Sequence, residues 1–143
     1  HNPETVVDLI KGLDQFDMVL GSRYVAGGRL DKDWAFWRKG LSSFGNLYAR
    51  AILRVPVKDI TGGFRAWKRE TLAQLPLQRV KSQGYAFQIE MAYLTFLLGF
   101  EIKEIPIYFA ERESGVSKMS RAIQIEAARR VWEILRQYRD LRQ

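Results

Sequence analysis

Four cationic side chains stand beside small or hydroxylated residues: Arg23 in Gly21-Ser22-Arg23-Tyr24, Arg38 four residues before Ser42, and Arg112 and Lys118 flanking Glu113 to Ser117. Such groupings suit the binding of phosphate, because a guanidinium forks onto two oxygens of one anion. Arg23 falls just past the C-terminal end of an expected strand, where ligands of open α/β sheets bind. A solvated loop arginine is the plainer reading of the same position. A helix puts Arg38 and Ser42 on one face, and a guanidinium beside a hydroxyl can hold a phosphate, though an exposed arginine next to a small residue is common. Arg112 and Lys118 bracket small residues, which suits closure over phosphates or an ordinary charged surface loop.

Two further groups carry acids. In Asp59-Ile60-Thr61-Gly62-Gly63-Phe64-Arg65 the glycines let backbone N–H groups approach a ligand, and Asp59 can cap the turn or orient a cation. A tight turn before a strand explains the same pattern. Gln88 and Glu90 lie near the start of a mostly apolar segment. Glutamate is rarely buried unpaired, so Glu90 is either a general base or half of an ion pair with an arginine. No Cys/His cluster, glycosidase-like acid pair, Walker motif or dinucleotide motif accompanies these residues.

Bulk properties narrow the classes. The 143 residues suffice for one domain with a core, 47% hydrophobic and 27% charged residues are ordinary for a globular protein, and cysteine is absent. That removes disulfides and thiolate chemistry. The net charge of +7 points to a polyanionic partner, whether nucleic acid, anionic membrane or phosphorylated small molecule. The longest apolar run, Ala92 to Phe100, is about half the roughly 20 residues a bilayer requires. The chain opens at His1 rather than methionine, straight into a helix start, so a fragment of a longer protein is expected.

Several elements must position these groups. Pro3 and Glu4 open a helix with Val6, Val7, Ile10 and Leu13 at helical spacing. Met18-Val19-Leu20 reads as a buried strand, and Gly21 to Asp33 as a long loop. From Trp34 to Arg54 the pattern is helical, with Trp37, Leu41, Phe44, Tyr48, Ala51 and Val55 as its apolar stripe. Phe64 to Trp67 suits a short strand, Arg69 to Leu75 a helical turn, and Gly84 to Phe100 a buried helix. Glu101 to Phe109 alternates as a strand near a sheet edge because it carries Pro106. Ser120 to Arg142 predicts one long amphipathic helix with Ile123, Ala127, Val131, Ile134, Tyr138 and Leu141 along its seam. The order predicts an α/β class.

Taken in order, the segments are more specific than any one alone. His1-Asn2-Pro3-Glu4, Gly21-Ser22-Arg23-Tyr24, Arg38-Lys39, Asp59-x-Thr61-Gly62-Gly63-Phe64-Arg65, Gly84-Tyr85-x-Phe87-Gln88-x-Glu90 and Arg112-x-x-Gly115-x-Ser117-Lys118 resemble the polyprenol-phosphate (dolichol-phosphate) mannose synthases, inverting family 2 glycosyltransferases of GT-A fold. The resemblance runs from His1 to about Ala128; Gly62 departs from it, since the family often has serine there. It implies a partial GT-A, Rossmann-like mixed sheet with flanking helices: residues 1–118 would form the acceptor-side half, and residues 119–143 a C-terminal amphipathic helix.

The resemblance also implies roles. Arg23, Arg38 and Ser42 would grip the lipid phosphate, Arg112 and Lys118 the nucleotide diphosphate, and Asp59, Gln88 and Glu90 would line the catalytic centre. Mannose would pass from GDP-mannose to polyprenol phosphate by direct displacement, with Mg or Mn held mainly by carboxylates upstream of His1. A phosphate acceptor is already anionic near neutral pH, so arginines matter more than a strong base. A peripheral position at the cytoplasmic face of a membrane is expected, with Trp34, Phe36 and Trp37 at the interface. The rival readings are a UDP-sugar donor and a non-catalytic basic module for membrane or phosphate. Nucleic acid is not an expected partner, because the arginines fall at strand ends and loops rather than along one surface stripe.

Overall fold

The computed structural model describes residues 2–30, 32, 35–109 and 120–142. Helix α1 (Pro3–Gly12) starts where the Asn2 side chain accepts a hydrogen bond from the Glu4 N–H at 3.0 Å, with proline in the first turn. Leu9 is its buried residue, whereas Val6, Val7 and Ile10 are exposed.

Strand β1 (Met18–Ser22) is buried along its whole length because it is the middle strand of a three-stranded sheet, flanked on both edges. The apolar run of the sequence follows from that place. A side chain at Gly21 would come within 2.7 Å of the Ile107 methyl and 2.9 Å of the Phe64 ring, so glycine is what fits. The segment after β1 is not wholly irregular: β2 (Arg29–Leu30) pairs in parallel with a strand 79 residues later, Arg29 opposite Tyr108 and Leu30 opposite Phe109.

Helix α2 (Phe36–Leu53) ends on Arg54, a non-glycine residue at φ 56. Here the structure overturns part of the expected orientation, although Val55 of the predicted stripe is buried and Tyr48 packs against the core. The core takes Asn46, Ala49 and Leu53, while Trp37 and Phe44 of the predicted apolar stripe are 65% and 64% exposed. The reason is polar: Asn46 is hydrogen-bonded on its buried side, as detailed below, so the face bearing an amide can turn inward without leaving it unsatisfied.

Strand β3 (Arg65–Trp67) runs antiparallel to β1, with Val19 opposite Ala66, and leads into α3 (Arg69–Gln74). A 3-10 turn over Leu77–Arg79 precedes α4 (Gly84–Leu97), which is buried from Ile89 to Thr95. The expected strand over 101–109 divides into β4 (Ile102–Pro106), parallel to β1 and at the sheet's edge, and β5 (Tyr108–Phe109), the partner of β2. Pro106 sits at the end of an edge strand, where its missing N–H costs no ladder bond.

Helix α5 (Arg121–Gln137) begins with the Ser120 hydroxyl accepting from the Ile123 N–H at 3.3 Å and is followed by a 3-10 turn over Arg139–Leu141 rather than continuing to Arg142. Its Val131 and Ile134, with Tyr138 just beyond its end, join the same core as Met18, Leu20 and Leu94. Ile123, expected on that seam, is exposed. Among the described residues no helix is long and apolar enough to cross a membrane.

Candidate functional site

The end of β1 throws Arg23 against the turn that precedes β3. Its Nε donates to Asp59 Oδ2 and its Nη2 to Asp59 Oδ1, both at 2.8 Å, while its own backbone N–H donates to Oδ2 at 3.0 Å. Nη2 also reaches the Thr61 hydroxyl at 3.3 Å. The Asp59 side chain is fully buried and that of Arg23 is 10% exposed, so this fork-to-fork pair is shielded from solvent. Burial acts to lower the pKa of Arg23, but the hydrogen bond and charge of Asp59 outweigh it and the net shift is upward. Arg23 is a permanent cation.

The turn itself is held from β4. The Glu104 carboxylate accepts from the backbone N–H of Lys58 at 3.0 Å and of Asp59 at 2.9 Å. From the other side Asn46 of α2 accepts from the Thr61 N–H at 3.2 Å and donates to the Thr61 hydroxyl at 3.2 Å and the Ser42 carbonyl at 3.0 Å. Tyr24 and Ser42 share a hydroxyl–hydroxyl bond. The Arg38–Ser42–Asn46 face of α2 therefore meets the Arg23–Asp59 pair through Tyr24 and Thr61. Sequence reasoning brought Arg38 and Ser42 to one face; it missed that Asn46, four residues further on, continues that face inward, although the spacing was there to read. The Arg38 guanidinium lies 5.7 Å from the Trp37 ring centroid.

Gln88 approaches the same turn from α4. A side chain added at Gly63 would lie 3.4 Å from the Gln88 amide nitrogen, so the turn and the helix start are in close contact. An open cleft of about 630 Å³ runs along this seam, lined by Gly63, Arg65, Trp67, Phe87, Gln88 and Met91 among others; neither Arg23 nor Ser42 borders it.

Glu90 is built into a different network. Fully buried, it accepts from the Ser82 N–H at 3.0 Å and the Tyr138 hydroxyl at 2.5 Å, and its Oε2 lies 3.6 Å from Arg130. Arg130 in turn donates to the Ser82 hydroxyl at 2.8 Å, Glu133 at 2.8 Å and Gln137 at 3.0 Å. Burial, then the bond to Glu90, raises the Tyr138 pKa well beyond the usual phenol range. The structure thus places Glu90 against α5, by way of the ion pair that the sequence left as one of two readings. Arg112 and Lys118 lie outside the described residues.

As carboxylate ligands, Asp59 and Glu104 are already engaged by Arg23 and by main-chain N–H groups. Among the described residues no three His, Cys, Asp or Glu side chains converge to hold a metal ion. What the arrangement offers is a rigid, arginine-bearing wall.

No family model matches the chain. It is 41% identical over 144 residues to an undecaprenyl-phosphate mannosyltransferase of Micrococcus luteus, an alignment covering 99% of this chain and 59% of that protein. It is 45% identical over 121 residues to a polyprenol monophosphomannose synthase of Mycolicibacterium smegmatis, covering 84% of this chain and 45% of the relative. The chain therefore spans about half the length of the curated relatives it matches. Identity at this level along almost all of the chain means common descent with the matching parts of these two proteins, which are named as a mannosyltransferase and a monophosphomannose synthase.

Proposed function

We propose that the protein transfers mannose from GDP-mannose to polyprenol phosphate with inversion, on a GT-A scaffold, and that this chain supplies its acceptor side. A single observation carries the acceptor assignment: the buried Arg23–Asp59 pair and the Arg38–Ser42 face of α2 are joined through Tyr24 and Thr61. The names of the relatives support the class of acceptor.

In this reading a phosphate oxygen of the lipid attacks the anomeric carbon of mannose. The bond from that carbon to the diphosphate breaks, and GDP leaves with the electron pair. The acceptor is ionised already, so no side chain has to remove a proton. Arg23, Arg38 and Ser42 hold it in line, which converts a bimolecular encounter into a positioned one, and the charge of Arg38 offsets part of the repulsion between two polyanions, that of Arg23 being balanced by Asp59. Asp59 acts as the fixed partner of Arg23, and Gln88 borders the centre from α4. Arg112 and Lys118 take the leaving diphosphate. A Mg or Mn ion would supply further charge stabilisation there. The described residues do not make such a centre, so no step is assigned to it.

The experiment is a donor panel on the full-length protein with short-chain polyprenyl phosphate. Transfer from GDP-mannose is expected. Arg38→Gln should raise the KM for the lipid phosphate by about tenfold and leave the donor KM nearly unchanged. Transfer from a UDP-sugar alone would replace the donor; no transfer to the lipid from any donor would end the proposal.

A membrane surface at the cytoplasmic face is the second part. Phe36 is 91% exposed and Leu47 61%, and together with Trp37 and Phe44 they form an outward apolar face of α2 beside Arg38 and Lys39. Such a face suits an anionic interface; Trp34, expected to join it, lies outside the described residues. Adding anionic vesicles should shift tryptophan emission to the blue in the wild type and much less in Trp37→Phe. An unchanged spectrum would remove α2 from the membrane.

A further inference from the structure

Arg65 of β3 has a setting that the proposed transfer does not use. Its Nε donates to the Gly62 carbonyl at 2.8 Å, its Nη1 to the Gln88 carbonyl at 2.8 Å and its Nη2 to the Ile60 carbonyl at 3.1 Å and again to Gly62. These acceptors are all main-chain oxygens, from two segments that no strand pairing joins. Burial pushes the guanidinium down to about 10, with the charge of Asp59 acting in the opposite direction. It therefore stays protonated at neutral pH, and the energy of enclosing it is recovered through carbonyl dipoles.

We propose that Arg65 is a positioning residue that staples the Asp59–Gly63 turn to the start of α4, so that Asp59 meets Arg23 and Gln88 meets Gly63 in register. This rests on the acceptor-site reading above. The physical argument is geometric. A short turn with two consecutive glycines has many backbone states to lose on ordering, yet Asp59 must be fixed to within a hydrogen-bond length to meet Arg23 twice. Glu104 fixes the turn before Asp59 through the Lys58 and Asp59 N–H groups. Arg65 fixes it after Asp59 through the Ile60 and Gly62 carbonyls, and its planar fork is the group able to reach a third carbonyl on α4 at the same time. A lysine offers one point charge and cannot span the three.

Two readouts on the full-length protein test the staple, one of them free of substrate. In 15N-labelled protein the Arg23 Nε–H, bonded to Asp59, should be a slowly exchanging arginine side-chain signal, assigned by its loss in Arg23→Lys. Arg65→Met should shift that signal and speed its exchange by about tenfold or more, and Arg65→Lys should do so to a smaller extent. In the transfer assay the same variants should lower kcat/KM for the lipid phosphate by up to about a hundredfold, with the donor KM moved far less. If Arg65→Met does not fold, Arg65→Lys carries both measurements. Unchanged Arg23 exchange in a folded variant overturns the staple, whatever the protein transfers. Normal staple behaviour in a protein that transfers no mannose overturns the function instead.

Discussion

Asp59→Ala is expected to destabilise the protein by about 3–5 kcal/mol, the range for removing one partner of a buried ion pair. The variant would leave Arg23, with its side chain 10% exposed, deprived of three hydrogen bonds at once: those from its Nε, its Nη2 and its own backbone N–H. Thr61 would remain as a neutral acceptor for Nη2. Denaturant unfolding reads the loss directly. The conservative variant separates charge from shape, since Asp59→Asn keeps the side chain's volume and an acceptor oxygen but not the negative charge. It should fall between wild type and Asp59→Ala in stability, with kcat/KM for the lipid phosphate reduced because Arg23 is no longer held from both ends. A stability loss below about 1 kcal/mol for Asp59→Ala would mean that Arg23 readily finds solvent, and the rigid-wall account of the site would fail.

Glu90→Ala should be comparably damaging, again about 3–5 kcal/mol, though its effect arises at the junction of α4 with α5. The carboxylate satisfies the Ser82 N–H and the Tyr138 hydroxyl and faces Arg130, and the Tyr93 and Tyr138 rings pack nearby at 6.5 Å between centroids. Removal leaves the Ser82 N–H and the Tyr138 hydroxyl without their acceptor, while Arg130 loses one of its two carboxylate partners and keeps Glu133. Glu90→Gln keeps an acceptor oxygen for the Ser82 N–H, and its NH₂ can donate to the Tyr138 oxygen, but the Tyr138 O–H then loses its acceptor. The spectroscopic sign is definite. Burial and then Glu90 raise the Tyr138 pKa, so loss of the negative charge lets the phenol ionise at lower pH, seen as an earlier ultraviolet transition in alkaline titration. If Glu90→Gln instead retained full stability while abolishing transfer, Glu90 would have to be moved from the helix junction to the reacting groups.

The two variants also differ in reach. Asp59 and Arg65 act on the same turn, so their effects should be non-additive, as expected for groups in one network. Glu90 lies two residues beyond Gln88 on α4, yet its partners are Ser82, Arg130 and Tyr138. The start of α4 is thus pinned twice, at the Gln88 carbonyl by Arg65 and at Glu90 by the α5 junction. Gln88 projects from between these anchors toward Gly63, which explains how a half-buried amide can hold a fixed place beside the turn.

Local order was legible in the sequence because it depends on residues a few positions apart. Helix periods, the Pro3 start, the buried run of β1 and the edge proline of β4 each follow from steric and hydrogen-bonding rules within about a turn or a strand. The placing of Arg38 and Ser42 on one helix belongs here, four residues apart in α2. Which face of α2 turns inward was not local. It was settled by Asn46 meeting Thr61, 15 residues away, so a face with a satisfied amide was buried and an aromatic one left outside. The same holds for the counter-ion of Arg23, 36 residues on, for Glu104 bonding the Asp59 N–H across 45 residues, and for Glu90 meeting Tyr138 across 48. A charged side chain buried in the fold takes the partner that the fold brings to it. Sequence therefore determined which charged and polar groups are present and how they are spaced along each element, and tertiary structure decided which of them are held, by what, and which carboxylates are already spoken for.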